Sequence, residues 1–234
     1  MSDSKPVALV TAAGRGIGAA CALELSRRGY HLALLSPSGA PDVAAETGAV
    51  AVAGSVTDTD DLRTLVDGAM ERWGRIDAVV ANTGHPAKGE LLELTDEDWH
   101  DALDLVLLYS VRLARLVTPI MRRQGGGAIL NITTLGAAEP NLMFPISSAL
   151  RSAVGAFTKL YADRYGADGI RMNALLPGFA DSYPESDDII AKIPMGRYAT
   201  VAEVARTIAF LVSDDSSYVT GQSIRIDGAL GRSF

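Results

Sequence analysis

Val7-Ala-Leu-Val10 runs into Thr11-Ala-Ala-Gly-Arg-Gly-Ile-Gly18 and on into Ala19-Ala-Cys-Ala-Leu-Glu-Leu-Ser-Arg-Arg28, closed by Gly29. An apolar run, a glycine turn and a helical stretch stopped by glycine read as strand, turn, helix and C-cap. The same alternation continues downstream. His31–Leu35, Ala49–Val52 and Ile76–Ala81 are further strand-like runs, separated by helical patterns at Val43–Thr47 and Asp60–Trp73. A long helix from about Asp96 to Arg123, a strand at Ala128–Thr133, a helix from about Pro145 to Tyr165 and a strand at Ile170–Leu175 come next. A helix from about Val201 to Ser213 and a strand at Ser223–Ile226 complete the series. Strands alternating with helices predict a doubly wound α/β fold built on a parallel sheet. Gly125-Gly-Gly127 only separates a helix from a strand, so one domain over residues 1–234 is expected.

Composition agrees with a single large core. The chain has 234 residues, of which 48% are hydrophobic and 21% charged, which excludes intrinsic disorder and a collagen-like repeat. Its net charge of -7 has the wrong sign for a general nucleic-acid binder or a protein that coats anionic membranes. Any polyanionic ligand must then be held by local groups. Cys21 has no partner for an internal disulfide and falls in a helix, where a free thiol packs as a small hydrophobe. Met1–Pro6 lacks a basic segment followed by an apolar one, and no run approaches the roughly 18 apolar residues of a membrane span. A soluble, cytoplasmic protein is therefore expected. His31 and His100 read as structural, and no His/Cys/Asp cluster has metal-ligand spacing, so no metal is expected.

Gly14, Gly16 and Gly18 fall where the first strand hands over to the first helix. Missing Cβ atoms let the backbone approach a phosphate, and a helix N-terminus offers unpaired N–H groups with partial positive charge. A dinucleotide pyrophosphate fits such a turn. Sites of this architecture that bind NAD place an acidic residue about 20 residues on, at the end of the second strand. Here Leu35 is followed by Ser36-Pro-Ser-Gly39, which has no carboxylate, while Arg15 adds a guanidinium inside the turn. Ser36, Ser38 and Arg15 suit a 2′-phosphate, so NADP(H) is favoured over NAD(H). The loop of residues 177–194 leaves a strand end and carries Asp181, Tyr183, Glu185, Asp187 and Asp188, as a lid over a ligand would.

Thr11-Ala-Ala-Gly-Arg-Gly-Ile-Gly18 resembles the T-G-x-x-x-G-x-G cofactor motif of the short-chain dehydrogenase/reductase family, with Ala12 in place of the first glycine. Ala81-Asn-Thr-Gly84 is similar to that family's N-N-A-G segment, Asn131-Ile-Thr-Thr134 to its N-I-S-S strand end, and Ile170–Gly178 to its I-R-V-N-x-x-x-P-G segment. Ile193–Arg197 and Tyr218–Gly228 resemble its C-terminal landmarks, so the likeness covers the chain from end to end. The resemblance implies a three-layer Rossmann fold with a seven-stranded parallel sheet. It also implies a homo-oligomer, tetramer or dimer, formed through the two long helices. Cofactor contacts are implied for Thr11, Gly14, Arg15, Gly16, Ile17, Gly18, Ser36, Ser38, Ser55, Val56, Asn82, Gly84, Arg151, Pro177, Gly178 and Ser182.

The family's chemistry uses a Tyr as acid/base, a Lys four residues on, a Ser thirteen residues before the Tyr, and an Asn in the preceding long helix. Aligned on Ala153–Lys159, the resemblance puts those positions at Ser147, Arg151, Thr134 and Val106. Thr134 keeps a hydroxyl that can orient a carbonyl. Ser147 cannot serve as an acid near pH 7, because an aliphatic hydroxyl ionises far above a phenol. Arg151 can bind ribose hydroxyls or an anion but stays charged. Val106 cannot hold a relay water. His85 and Tyr183 are assigned to substrate binding, and with Tyr109 they are the nearest titratable alternatives. The expected function is an NADP(H)-dependent oxidoreductase with an atypical site formed by Thr134, Ser147 and Arg151, acting on an imine-like or anionic small molecule. The alternatives are a catalytically silent NADP-binding regulatory protein and a scaffold subunit for an active paralogue.

Overall fold

The computed structural model describes residues 5–233. Met1–Ser4, which carry most of the leader reading, lie outside the described residues. Seven strands form one sheet in the order β3-β2-β1-β4-β5-β6-β7, and every pairing is parallel. They are β1 Val7–Thr11, β2 His31–Ser36, β3 Val50–Ala53, β4 Ala78–Ala81, β5 Gly127–Ile132, β6 Ile170–Pro177 and β7 Ser223–Ile226. All five residues of β1 and all four of β4 are buried, as continuous apolar runs in a sheet covered on both faces must be.

Two apolar clusters sandwich the sheet. One packs α1 (Gly16–Arg27), α2 (Pro41–Thr47) and α8 (Val201–Val212) against residues such as Val10, Leu34 and Leu130. The other packs α3 (Thr59–Trp73), α5 (Tyr109–Gln124) and α6 (Pro145–Tyr165) against Leu9, Leu35 and Ile129. This alternation of faces follows from the period of two along each strand. Cys21 is fully buried in the first cluster, and burial raises its thiol pKa. The architecture is the doubly wound Rossmann-type fold read from the sequence.

Two local features differ from the sequence reading. The long helix expected over Asp96–Arg123 is divided into α4 (Asp96–Ala102), a π-helical segment at Leu103–Leu108 and α5. Hydropathy periodicity does not register the extra residue of a π-turn, which often marks a functional site. The loop over residues 177–194 contains a single turn of helix, α7 (Asp187–Ile190), led by two acids that suit a helix N-terminus. No helix among the described residues is long and apolar enough to cross a membrane.

The chain enters the sheet at β1, builds outward to β3, then returns to β4 on the other side of β1. The crevice between the C-terminal ends of β1 and β4 is the switch point at which open α/β sheets take their ligands. Thr11 stitches these ends together. Its Oγ1 donates to the Asn82 carbonyl at 2.6 Å and accepts from the Asn82 N–H at 2.9 Å.

Candidate active site

The glycine turn lies over this crevice. Gly16 has φ +55, where a side chain is strained, and a Cβ there would come within 3.2 Å of Ser182 in the 177–194 loop. Gly18 is tighter still, since a Cβ would fall 2.2 Å from the Ala12 carbonyl oxygen. The N-cap of α1, Arg15, has extended backbone and makes no side-chain cap, which leaves the first N–H groups of the helix available to an anion. Ile17 is partly buried against the apolar cluster beneath the turn. Ala12 holds φ +49, a left-handed conformation that disfavours every residue with a Cβ. Ala12→Gly should therefore stabilise the chain by about 0.5–1 kcal/mol, the relief of strain less the entropy glycine adds to the unfolded chain. Thermal denaturation would show this as a rise of a few degrees, about 2–4 °C per kcal/mol.

Beside the turn, Ser36 Oγ and Ser38 Oγ lie 3.4 Å apart. A Cβ on Gly14 would stand 3.2 Å from Ser36 Oγ. Arg15 is exposed, and among the described residues it makes no ion pair. Ser55 and Val56 follow β3, where Asp61 Oδ2 accepts from the Ser55 N–H at 2.8 Å and fixes the segment. Thr83, between Asn82 and Gly84, has a buried hydroxyl oxygen without a hydrogen-bond partner. A buried polar atom left unpaired in this way costs about 1–3 kcal/mol, which a ligand at the site could recover. The sequence reading passed over Thr83 although it lies inside the Ala81–Gly84 segment.

Arg151 is only 4% exposed. Its Nη1 donates to the Ile132 carbonyl at 2.7 Å and its Nη2 to the Gly84 carbonyl at 3.0 Å, so one guanidinium braces the ends of β5 and β4. Its Nε donates to Ser147 Oγ at 3.3 Å, one helical turn earlier on α6. Among the described residues no carboxylate pairs with it. Burial pulls its pKa down, and the Tyr109 phenol opposes that shift. Thr134 is half-buried and immediately precedes the short turn Leu135–Ala137, which Ser152 Oγ anchors to α6 through the Ala137 carbonyl at 2.7 Å.

Val106 is buried in the π-helical segment, and its side chain offers no polar atom. One turn on, Ser110 Oγ donates to Asn131 Oδ1 at 2.6 Å, and Asn131 Nδ2 donates to Thr158 Oγ1 at 3.0 Å, a buried polar chain across α5, β5 and α6. Tyr109 belongs to the packing instead of the cleft. Its hydroxyl donates to the Ala81 carbonyl at 2.9 Å, and burial raises its pKa.

The loop of residues 177–194 borders the site beyond β6. Pro177 ends β6, and the Gly178 N–H donates to the Ile226 carbonyl at 3.0 Å. Tyr183 meets His85 edge-on at 6.4 Å and Phe144 at 6.5 Å, and Phe179 packs behind it at 5.8 Å. Lys88 Nζ donates to Tyr183 Oη at 2.9 Å. His85 is exposed by surface area, yet its ring sits close enough to the cleft that partial desolvation lowers its pKa, aided by the positive charges of Arg151, Lys88 and Arg15. The sequence reading thus brought together His85 and Tyr183, and missed Lys88 and Phe144, whose roles depend on contacts from 39 to 95 residues away in the chain.

A family profile described as Enoyl-(Acyl carrier protein) reductase matches residues 11–230. The 3-oxoacyl-[acyl-carrier-protein] reductase FabG of Staphylococcus epidermidis is 32% identical over 95% of this chain and 98% of its own. The chain belongs to the short-chain dehydrogenase/reductase family. A 3-oxoacyl-[acyl-carrier-protein] reductase of Synechocystis is 35% identical over 96% of each chain. Among solved structures, the TT0495 protein of Thermus thermophilus superposes with a TM-score of 0.90 at 33% identity, over 97% of this chain and 99% of that one. The fold and its parallel sheet are shared with these relatives, two of which carry the printed names of reductases.

Proposed function

We propose that this single-domain chain is an NADP(H)-dependent oxidoreductase that reduces a carbonyl group on a small molecule through an atypical site. The observation that carries the reading is the buried, unpartnered Thr83 hydroxyl, together with an uncapped helix N-terminus and a glycine turn whose Gly18 leaves no room for a Cβ. These groups fit a dinucleotide. Gly14, Gly16, Gly18 and the first N–H groups of α1 would hold the pyrophosphate; Thr11, Ile17 and Asn82 shape that crevice. Arg15, Ser36 and Ser38 would hold a 2′-phosphate, with Ser55 and Val56 toward the adenine. Gly84, Arg151, Pro177, Gly178 and Ser182 would face the nicotinamide half.

When bound, the nicotinamide supplies a hydride. The chain's own part is to stabilise the negative charge that grows on the substrate oxygen. Ser147 Oγ accepts from the Arg151 guanidinium, which leaves the hydroxyl proton of Ser147 to donate to that oxygen. A buried cation behind a neutral donor is an effective oxyanion stabiliser, because it is already oriented and poorly screened. Thr134 supplies a second hydroxyl. None of these three groups is an acid near neutral pH, so the proton comes from water or from a residue at the mouth of the cleft.

The relatives' printed names, reductases of 3-oxoacyl groups, support a carbonyl substrate. The α5 and α6 face supports a homo-oligomer, since Leu160 is 68% exposed there and Phe157, Tyr161 and Tyr165 line a shallow groove.

Fluorescence titration with NADPH and NADH tests the reading. NADPH should bind about tenfold or more tighter than NADH, and Arg15→Ala should erase most of that preference, as expected of a charge-assisted contact to phosphate. Absence of saturable binding by either nucleotide would overturn both the oxidoreductase and the silent NADP-binding readings and leave the scaffold alternative.

A further inference from the structure

At the mouth of the cleft, Lys88 makes no ion pair among the described residues. Lys88 Nζ lies 4.8 Å from the centre of the Phe144 ring and 5.2 Å from that of Tyr183, and donates to Tyr183 Oη. The chain carries more acids than bases, 28 against 21, and its loops here include Glu90, Glu185, Asp187 and Asp188. Yet among the described residues none of these carboxylates is within ion-pair reach of Lys88, Arg15 or Arg151. His85 senses all three cations, and no carboxylate contributes to the field acting on it.

Lys88 is exposed, and its ammonium lies near both rings and donates to a neutral phenol. Tyr183 Oη occupies a position on Lys88 that an anionic oxygen would take with a stronger bond. The phenol belongs to the lid, and the lysine belongs to the loop after β4. An anion accepted by Lys88 would thus sit at the seam where the lid meets the body, walled by Phe144, Tyr183 and His85.

We infer that Lys88 is a specificity residue that reads a carboxylate on the substrate, with Tyr183 as its stand-in acceptor when no substrate is present. The inference rests on the oxidoreductase reading for the claim that the occupant is the substrate. It commits the site to oxo acids and against iminium compounds, whose positive charge would meet that of Lys88. Tyr183 and Phe144 contribute flat apolar walls that fit the body of a short oxo acid. Lys88 acts on binding and takes no part in bond making.

The test needs no turnover. The chain has three histidines, so the His85 ring proton resonance is resolvable by NMR and can be assigned by loss of its signal in His85→Gln. The probes are acetoacetate and the uncharged hydroxyketone 4-hydroxybutan-2-one, added to the full chain. Acetoacetate should shift the His85 resonance saturably and bind about tenfold more tightly than the hydroxyketone. Lys88→Met should lose that tenfold preference, and Lys88→Arg should restore it. Equal affinity for the two probes, an unaltered acetoacetate affinity in Lys88→Met, or a His85 resonance that acetoacetate does not move would each overturn the inference. Acetoacetate binding that survives in a chain unable to bind NADPH would sink the oxidoreductase reading and leave the carboxylate site standing.

Discussion

Placing alanine at Gly18 is expected to lower the stability of the chain by about 3 kcal/mol and to abolish measurable dinucleotide binding. The added Cβ would lie 2.2 Å from the Ala12 carbonyl oxygen, 2.9 Å from its carbon and 3.1 Å from Ala13 Cα, all backbone atoms that no rotamer change can move away. Relief requires the turn to lift from the first turn of α1. That turn is also tied to the sheet, because the Ala13 N–H donates to the Leu35 carbonyl at 3.2 Å. At about 2–4 °C per kcal/mol for a chain of this size, the melting temperature should fall by roughly 6–12 °C. Gly29 and Gly48 provide the internal control. A Cβ at either meets nothing within 4 Å, and their positive φ values alone predict smaller losses of about 1–2 kcal/mol for alanine. A Gly18→Ala chain that melts like the wild type would mean that the turn is looser than its backbone contacts imply.

The contrast between Gly18 and Arg151 shows where sequence reading succeeds. The glycine turn is local: strand, turn and helix are consecutive, so residue type and spacing carry the conformation directly. Strand order follows almost as readily, because parallel strands joined by helices have few topologies open to them. The π-helical segment escaped because its amphipathic pattern looks continuous on either side of an inserted residue. Thr83 escaped for a different reason. Its importance lies in having no partner, and a missing contact has no sequence signature. Lys88 and Phe144 lie on separate loops whose approach is fixed only once β4, β5 and β6 are side by side. For Arg151, the resemblance located the position, but not the direction of the side chain. The guanidinium donates to two backbone carbonyls at the ends of β5 and β4, a geometry that no spacing rule encodes.

Arg151→Met is expected to destabilise the chain by about 2 kcal/mol, and Arg151→Lys by at least as much. Two opposing effects decide the size. Methionine removes a buried cation without a counter-ion, and taking such a charge out of the interior can release several kcal/mol. Against this, the Ile132 and Gly84 carbonyls lose donors, at about 1–3 kcal/mol for each acceptor left unsatisfied. The second effect prevails because two backbone carbonyls, at 2.7 and 3.0 Å, with a longer contact to Ser147 Oγ at 3.3 Å, already compensate the guanidinium where it lies. Lysine retains the buried charge but loses the fork: a single ammonium cannot reproduce two diverging Nη donors and an Nε donor. It therefore carries both penalties. Urea denaturation of the two variants gives the order directly. If lysine restores wild-type stability and methionine does not, positive charge alone is what the fold requires at this position. If both fall, with lysine the lower, the planar fork is what joins the ends of β4 and β5. The same fork then sets where Ser147 presents its hydroxyl, and loss of hydrogen-exchange protection around Gly84 in Arg151→Met would register that coupling without any assay of turnover.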